Sequence, residues 1–439
     1  MAGTLRARKH LSADALVACV RASFAQIPDH RPGKCDISLV DTLMSAFAMF
    51  SLKDPSLLAF EERRHDQNLQ RLYGIGRPPS DTRMREVVDP VAPVELRPGF
   101  RDIFRRLQRG KVLEQYAYLE GAYLILLDGT TTFSSKKIHC DSCMHREHAN
   151  GTVTYHHQMV GAVLAHPDKK EVIPLAPEPI LNQDGQTKND CERNAVRRWL
   201  EGFRREHPHL PAIIVEDALS SNGPHIQDLQ EHRCRFILGV KPGDHAALFE
   251  EVHRREAAGE AEIVARRADD PKTRHVFSIV RDVPLNASHP DLKVTFVRYL
   301  AIDKETEEVH MFTWITDLKV TAKNVWDIMR GGRARWKVEN ETFNTLKNQG
   351  YHCEHNYGHG AINLSVVLAM IMMLAFLVDQ VQQLCDPLFQ AALEKLKTKR
   401  LLWERLRSLF QEYRLYSFRE VYEALVYGLL RPRPRFDTS

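Results

Sequence analysis

The chain has 439 residues, 43% of them hydrophobic and 27% charged, with a formal net charge of only +4. That length holds two to three domains around a large buried core, and the composition excludes a disordered or collagen-like chain. The charge balance excludes a uniformly basic polyanion binder, so any contact with nucleic acid must come from local patches.

The eight cysteines are scattered, and the first residues carry no secretory pattern, which favours free thiols in a reducing cytosol over a disulfide framework. The longest apolar run, residues 364–378, is interrupted by Ser365 and closed by Asp379. It falls short of the roughly 20 apolar residues of a membrane span and reads as a buried core helix.

Residues 1–115 read as short helices joined by tight turns. Residues 39–52 are apolar enough for a buried helix, and residues 55–64 open on Pro and Ser, as helix starts do. Ser80 or Asp81 is the expected N-cap of a helix opening on Arg83 and Arg85, and residues 101–111 form another basic helix. Arginines at helix starts suit DNA-backbone contact or helix-turn-helix reading. A helical bundle with ordinary surface arginines is the alternative.

Residues 122–128 then form an apolar run ending in Asp128, the pattern of a buried strand delivering an acid at its C-terminal edge, with Gly129 and Thr130 as a turn. Residues 155–163 and 171–175 read as further strands, and 188–206 as a helix. Residues 212–217 repeat the first pattern, apolar and ending in Asp217. A helix over 226–231 and a strand over 235–241 follow. Two carboxylates on strand ends of one sheet can converge on one edge and share a metal. Residues 242–312 break this rhythm with four β-segments separated by turn-rich linkers, among them 269–271, and read as a meander.

Residues 333–347 (RARWKVENETFNTLK) then read as a helix. Glu339, Phe343 and Lys347 stand at i, i+4 and i+8 on one face, with Arg333 and Arg335 leading in. A carboxylate among basic residues is placed to hold a divalent metal beside a phosphate backbone. The apolar helix follows, and residues from 386 on form a basic helical tail ending in an expected disordered stretch, residues 431–435.

Asp128, Asp217 and Glu339, in this order around a β-insert, resemble the DDE transposases of bacterial insertion sequences. The matching stretches are Leu127-Asp128-Gly129-Thr130, Ile214 to Leu219, and Arg335 to Lys347. The last resembles that group's signature of tyrosine, arginine, glutamate and lysine around the third acid. Two departures stand out: Gly331 and Gly332 occupy the place of the tyrosine, and Lys347 falls eight residues after Glu339, one further than in the best-known pattern.

The resemblance implies an α/β fold, an RNase H-like catalytic core with an inserted β-rich domain and helical terminal regions. The expected division is a helical DNA-binding region at 1–115, the core at 116–241 and 313–380, the insert at 242–312 and a helical C-terminal region at 381–439. The implied activity is cleavage of element ends and their joining to target DNA. A nuclease of the same fold and a catalytically inactive DNA-binding relative are the alternatives. The implied partner is double-stranded DNA, bound by a homodimer or higher assembly in the bacterial cytoplasm.

Three carboxylates in one cleft repel one another unless cations bind, so Mg²⁺, with Mn²⁺ as the alternative, is the expected cofactor. Asp128 is expected to bridge two ions, with Asp217 and Glu339 each holding one. Arg333, Arg335 and Lys347 would grip phosphates, and Trp336 is a candidate for stacking on a base, with a core position as its alternative. Glu216 and Glu341 are the near neighbours competing with Asp217 and Glu339. Glu178 and Glu192 are further acids near the core. Finally, Cys140 and Cys143 have CxxC spacing, with His139, His145, His148, His156 and His157 close by and His352, Cys353, His355 and His359 after the third acid. Zn²⁺ is a candidate there with the ligand set open; free cysteines beside histidines that contact DNA are the alternative.

Overall fold

The computed structural model describes residues 8–141, 143–181, 188–266 and 272–428, with 188–190 by backbone alone. The stretches 269–271 and 431–435 lie outside the described residues. Six helices open the chain: α1 (Ala13–Phe24), α2 (Leu39–Leu52), α3 (Leu57–Glu61), α4 (Gln67–Tyr73), α5 (Asp81–Val88) and α6 (Arg97–Arg109). Ser12, Ser38, Ser56, Asp66 and Ser80 each accept a hydrogen bond from a backbone N–H of the turn they begin, which fixes where the first five start. Of the basic residues here, Arg83 pairs with Glu86 and Arg85 with Asp81 on the same helix. Arg97 is buried between Glu178 and Glu206 of the core.

The sheet follows, with β1 (Tyr123–Ser135), β2 (Met144–Glu147), β3 (Val153–Ala165), β4 (Ile173–Pro174) and β5 (Glu178–Ile180), then α7 (Lys188–Glu206), β6 (Ala212–Glu216), α8 (Gly223–Glu231), β7 (Arg235–Gly239) and α9 (Ala246–Ala257). β3 runs antiparallel to β1, and β2, β4 and β5 share its other edge. β6 pairs parallel to β1 and β7 parallel to β6. Antiparallel strands on one side of β1 and helix-linked parallel strands on the other make the RNase H-like core that the resemblance implied. The parallel strands are buried on both faces, which explains their continuous apolar runs.

The meander is β8 (Glu262–Arg266), β9 (Thr273–Asn286), β10 (His289–Asp303) and β11 (Val309–Thr316), each antiparallel to the next. β11 also pairs with β7, Trp314 opposite Gly239 and Thr316 opposite Ile237. The β-unit therefore continues the core sheet, in the order β2-β3-β1-β6-β7-β11-β10-β9-β8.

Then come α10 (Val325–Arg333), a π-helical stretch (Val338–Phe343), α11 (Asn344–Asn348), α12 (Leu364–Cys385), α13 (Pro387–Leu396), α14 (Lys399–Glu412) and α15 (Phe418–Tyr427). The apolar run is longer as a helix than its sequence suggested. α12 has 22 residues with a mean hydropathy of 2.3, enough by length and composition to cross a membrane. Its most apolar 18 residues are nonetheless 94% buried, between α2 and the sheet, as the core axis of the terminal helices. A buried lysine pins these helices: Lys53, just after α2, meets Asp379 of α12 at 2.6 Å beneath the rings of Tyr351 and Trp403.

Candidate active site

Asp128 does not close its strand, as the sequence suggested. β1 runs on to Ser135 because the threonine-rich stretch after Gly129 keeps pairing with β3. What ends near Asp128 is the parallel partner: β1 and β6 pair only as far as Leu126 and Val215. The carboxylate thus emerges beside the C-terminal end of β6, where Asp217 caps a short 3₁₀ turn and accepts from the Leu219 N–H at 2.9 Å. Its neighbour Glu216 is committed elsewhere. It is buried and bonded to His225 Nε2 at 2.6 Å and Ser220 Oγ at 3.0 Å.

Glu339 reaches the same place from the other side of the chain. Opposite Asp128 on β3 stands Gly161, and a methyl group there would come within 2.7 Å of the Phe343 ring. That bare backbone is the seat of the ring, which brings the π-helical stretch down onto β1 and β3. Arg335 Nη1 then lies 2.7 Å from Glu339 Oε1 and 3.4 Å from Asp128 Oδ2, a guanidinium shared between two acids. Glu341 faces elsewhere, its charge felt by Lys399 at the start of α14.

The expected single regular helix over 333–347 is broken. α10 ends at Arg333, and the residues around Glu339 adopt π-helical bonding before α11. A π-turn holds one residue more than an α-turn, which accounts for the extra residue between Glu339 and Lys347. The place of the missing tyrosine also has a steric cause: a methyl group on Gly332 would lie 2.5 Å from Trp314 Nε1, so α10 presses directly on β11. The basic and aromatic residues around the acids have mixed placements. Arg333 lies over the Phe312 ring and Lys347 pairs with Glu354 at 3.1 Å. Trp336 is 54% exposed beneath the Arg335 guanidinium.

Glu192 is the acid beside Asp128 that the sequence singled out least. Its carboxylate lies against the backbone of Gly129, where a methyl group would meet it at 2.9 Å. Its only sequence signal was being one more acid on α7. Glu178, the other acid noted there, instead bonds Arg97 and Arg198 and is structural.

The electrostatics converge on Asp128. Burial pushes its carboxyl up to about 7, with Arg335 opposing and the charges of Glu339, Glu192 and Asp217 adding to the rise. A carboxyl raised this far by burial and neighbouring acids marks a candidate functional site. A family model described as a transposase DDE domain matches residues 125–377. The chain belongs to that family. Comparison with curated proteins returns no match. The matched span runs from Ile125 within β1 through the rest of the sheet and the π-helical stretch to most of α12, so Asp128, Glu192, Asp217 and Glu339 all lie within the family domain. This DDE transposase is accordingly an enzyme of transposition with DNA as its partner, and its family uses divalent metal ions.

Proposed function

We propose that Asp128, Asp217 and Glu339 are the catalytic acids with which this transposase cleaves the ends of an insertion sequence and joins them to target DNA. The observation that supports the reading is the Arg335 guanidinium shared between Glu339 Oε1 at 2.7 Å and Asp128 Oδ2 at 3.4 Å, with Asp217 at the adjoining end of β6; burial and the charges of Glu339, Glu192 and Asp217 push Asp128 up to about 7. The donor set is carboxylate oxygen throughout, which fits Mg²⁺ or Mn²⁺ rather than a softer metal. A pair of such ions would activate a water or 3′-hydroxyl and stabilise the leaving oxygen of a phosphodiester. The protein's own part is positioning. The Gly129 N–H donates to Asp128 Oδ1 at 3.0 Å and holds the carboxylate in place. Arg335 neutralises Asp128 and Glu339 together, and cations between these acids would release its guanidinium to a DNA phosphate. Trp336, exposed beside it, offers a ring to a base, while Arg333 and Lys347 extend the phosphate grip.

The division of labour follows the chain: a DNA-binding helical region at 1–115, the core at 116–241 and 313–380, the insert at 242–312 and the helical C-terminal region at 381–439. Pairing two element ends favours a homodimer or higher assembly on DNA. The test is a full-length chain incubated with labelled terminal inverted repeats, Mg²⁺ and a target plasmid. Cleavage and joining are expected. The variants Asp128→Ala, Asp217→Ala and Glu339→Ala should each bind the repeats without cleaving them, and retained cleavage in any one removes that residue from the set. Nicking without joining would replace the proposal by a nuclease, and binding without either by an inactive relative.

A further inference from the structure

We propose that Cys140, Cys143, His157 and His359 form a structural zinc site, separate from the acid cluster. The four come from three parts of the chain. The cysteines lie in the segment between β1 and β2, His157 on β3 opposite Phe133 of β1, and His359 in the connection from α11 to α12. Their ligand atoms all lie within 4.8 Å of one another. The sulfurs are 4.0 Å apart, and His157 Nε2 is 3.6 Å from each. His359 Nε2 is 3.4 Å from Cys143 Sγ. A tetrahedron with zinc–sulfur bonds of about 2.3 Å and zinc–nitrogen bonds of about 2.0–2.1 Å has edges of ~3.8 Å between sulfurs and ~3.5 Å from sulfur to nitrogen. These four separations match those edges to within a few tenths of an ångström, and the remaining pairs, within 4.8 Å, would draw in around the ion.

The surroundings agree. Cys143, His157 and His359 are buried, and the Phe133 ring lies 4.5 Å from the His359 ring and 6.0 Å from that of His157. The cysteine thiols lose their protons to solvent as the metal binds. Other histidines of the motif are placed otherwise: His139 stacks on Tyr155, His148 bonds Thr154 Oγ1, and His355 packs on Tyr357. Two sulfurs and two imidazoles in a tetrahedron select zinc, and four protein ligands leave no open position, so the site is structural. Its effect would be to tie the connection that follows the third acid to β1 and β3, the strands that carry Asp128 and Gly161.

Total metal in the full-length chain, purified under reducing conditions, tests this. About one zinc per chain is expected. Cys140→Ser and His359→Ala should lower it to roughly a tenth, while Cys35→Ser and Asp128→Ala leave it unchanged. Wild-type protein with under roughly a fifth of an equivalent, or zinc kept by both ligand variants, overturns the site. If the variants fail to fold, cobalt titration of the wild type decides. Tetrahedral d–d absorption with a thiolate charge-transfer band supports the site, and a weak octahedral spectrum without that band overturns it.

Discussion

Asparagine in place of Asp128 removes one charge and little else. It keeps the side chain's shape and an oxygen for the Gly129 N–H. In the native chain the carboxyl sits at about 7, against about 3.9 for an unperturbed aspartate. The sign follows from which state holds the proton. Below about pH 4 the carboxyl is protonated in both folded and unfolded chains, and its ionisation costs nothing. Between that pH and 7 the unfolded chain ionises first, so the fold loses stability as pH rises. Above 7 the full cost is present, at about 1.4 kcal/mol per pH unit of displacement, or ~4 kcal/mol. The side chain is 23% exposed, and solvent screening reduces this to about 2–4 kcal/mol. Asp128→Asn should therefore stabilise the metal-free protein at pH 8, raising the midpoint of thermal unfolding in chelator by several degrees. At pH 5 less than half of that gain should remain. Added Mg²⁺ should raise the wild-type midpoint and leave the variant's unmoved, since only a ligand bound to the folded state stabilises it. A variant no more stable than wild type at pH 8, or equally stabilised at both pH values, refutes the reasoning.

Glu192→Gln removes one of the charges crowding Asp128, and the Mg²⁺ concentration needed for half-maximal cleavage should rise about tenfold or more; an unmoved midpoint takes Glu192 out of the site. Gly161→Ala puts a methyl group into the Phe343 ring and should lower cleavage by about 10²-fold with DNA binding intact, while Phe343→Leu added to it should restore part of the loss. Unchanged cleavage in the single variant would mean that the third-acid segment is not held there. Asp379→Ala strands the buried Lys53 ammonium and should cost about 3–5 kcal/mol in urea unfolding. Replacing both partners, Lys53→Met with Asp379→Leu, should recover most of it, and a loss under roughly 1 kcal/mol in the single variant contradicts a buried pair.

Local patterns in the sequence located most of the elements, because they record burial directly. The apolar runs before Asp128 and Asp217 are buried strands, and Ser80 caps the helix expected after it. β1 runs past the turn expected at Asp128: Asp-Gly is turn chemistry in isolation, and only the partner strand β3 overrides it. Glu192 and Gly161 were out of reach for a different reason. Each matters through a contact across the fold, a carboxylate against Gly129 and a ring on a bare backbone, and neither leaves a periodic trace. The same limit applied to the Cys and His residues. CxxC announced two of them, but nothing in the spacing selects His157 and His359 from the other histidines; the β1–β3 register and the turn into α12 do.

The shifted lysine is where sequence and structure inform each other most. In a regular helix each residue turns the chain by about 100°, so a residue eight positions on points ~80° away from its start, and one seven positions on only ~20° away. A lysine at the eighth position would stand at the edge of the face that Glu339 and Phe343 share if the helix were regular. The π-helical stretch absorbs one residue and brings the later positions back by about one residue's turn. The same stretch lets Phe343 settle on Gly161 while Glu339 meets Arg335 and Glu341 turns toward Lys399. Lys347 meanwhile holds Glu354, a carboxylate 71% exposed, in a pair worth about 0–1 kcal/mol. Exchanging that partner for a DNA phosphate would cost little, which suits the phosphate grip proposed for Lys347.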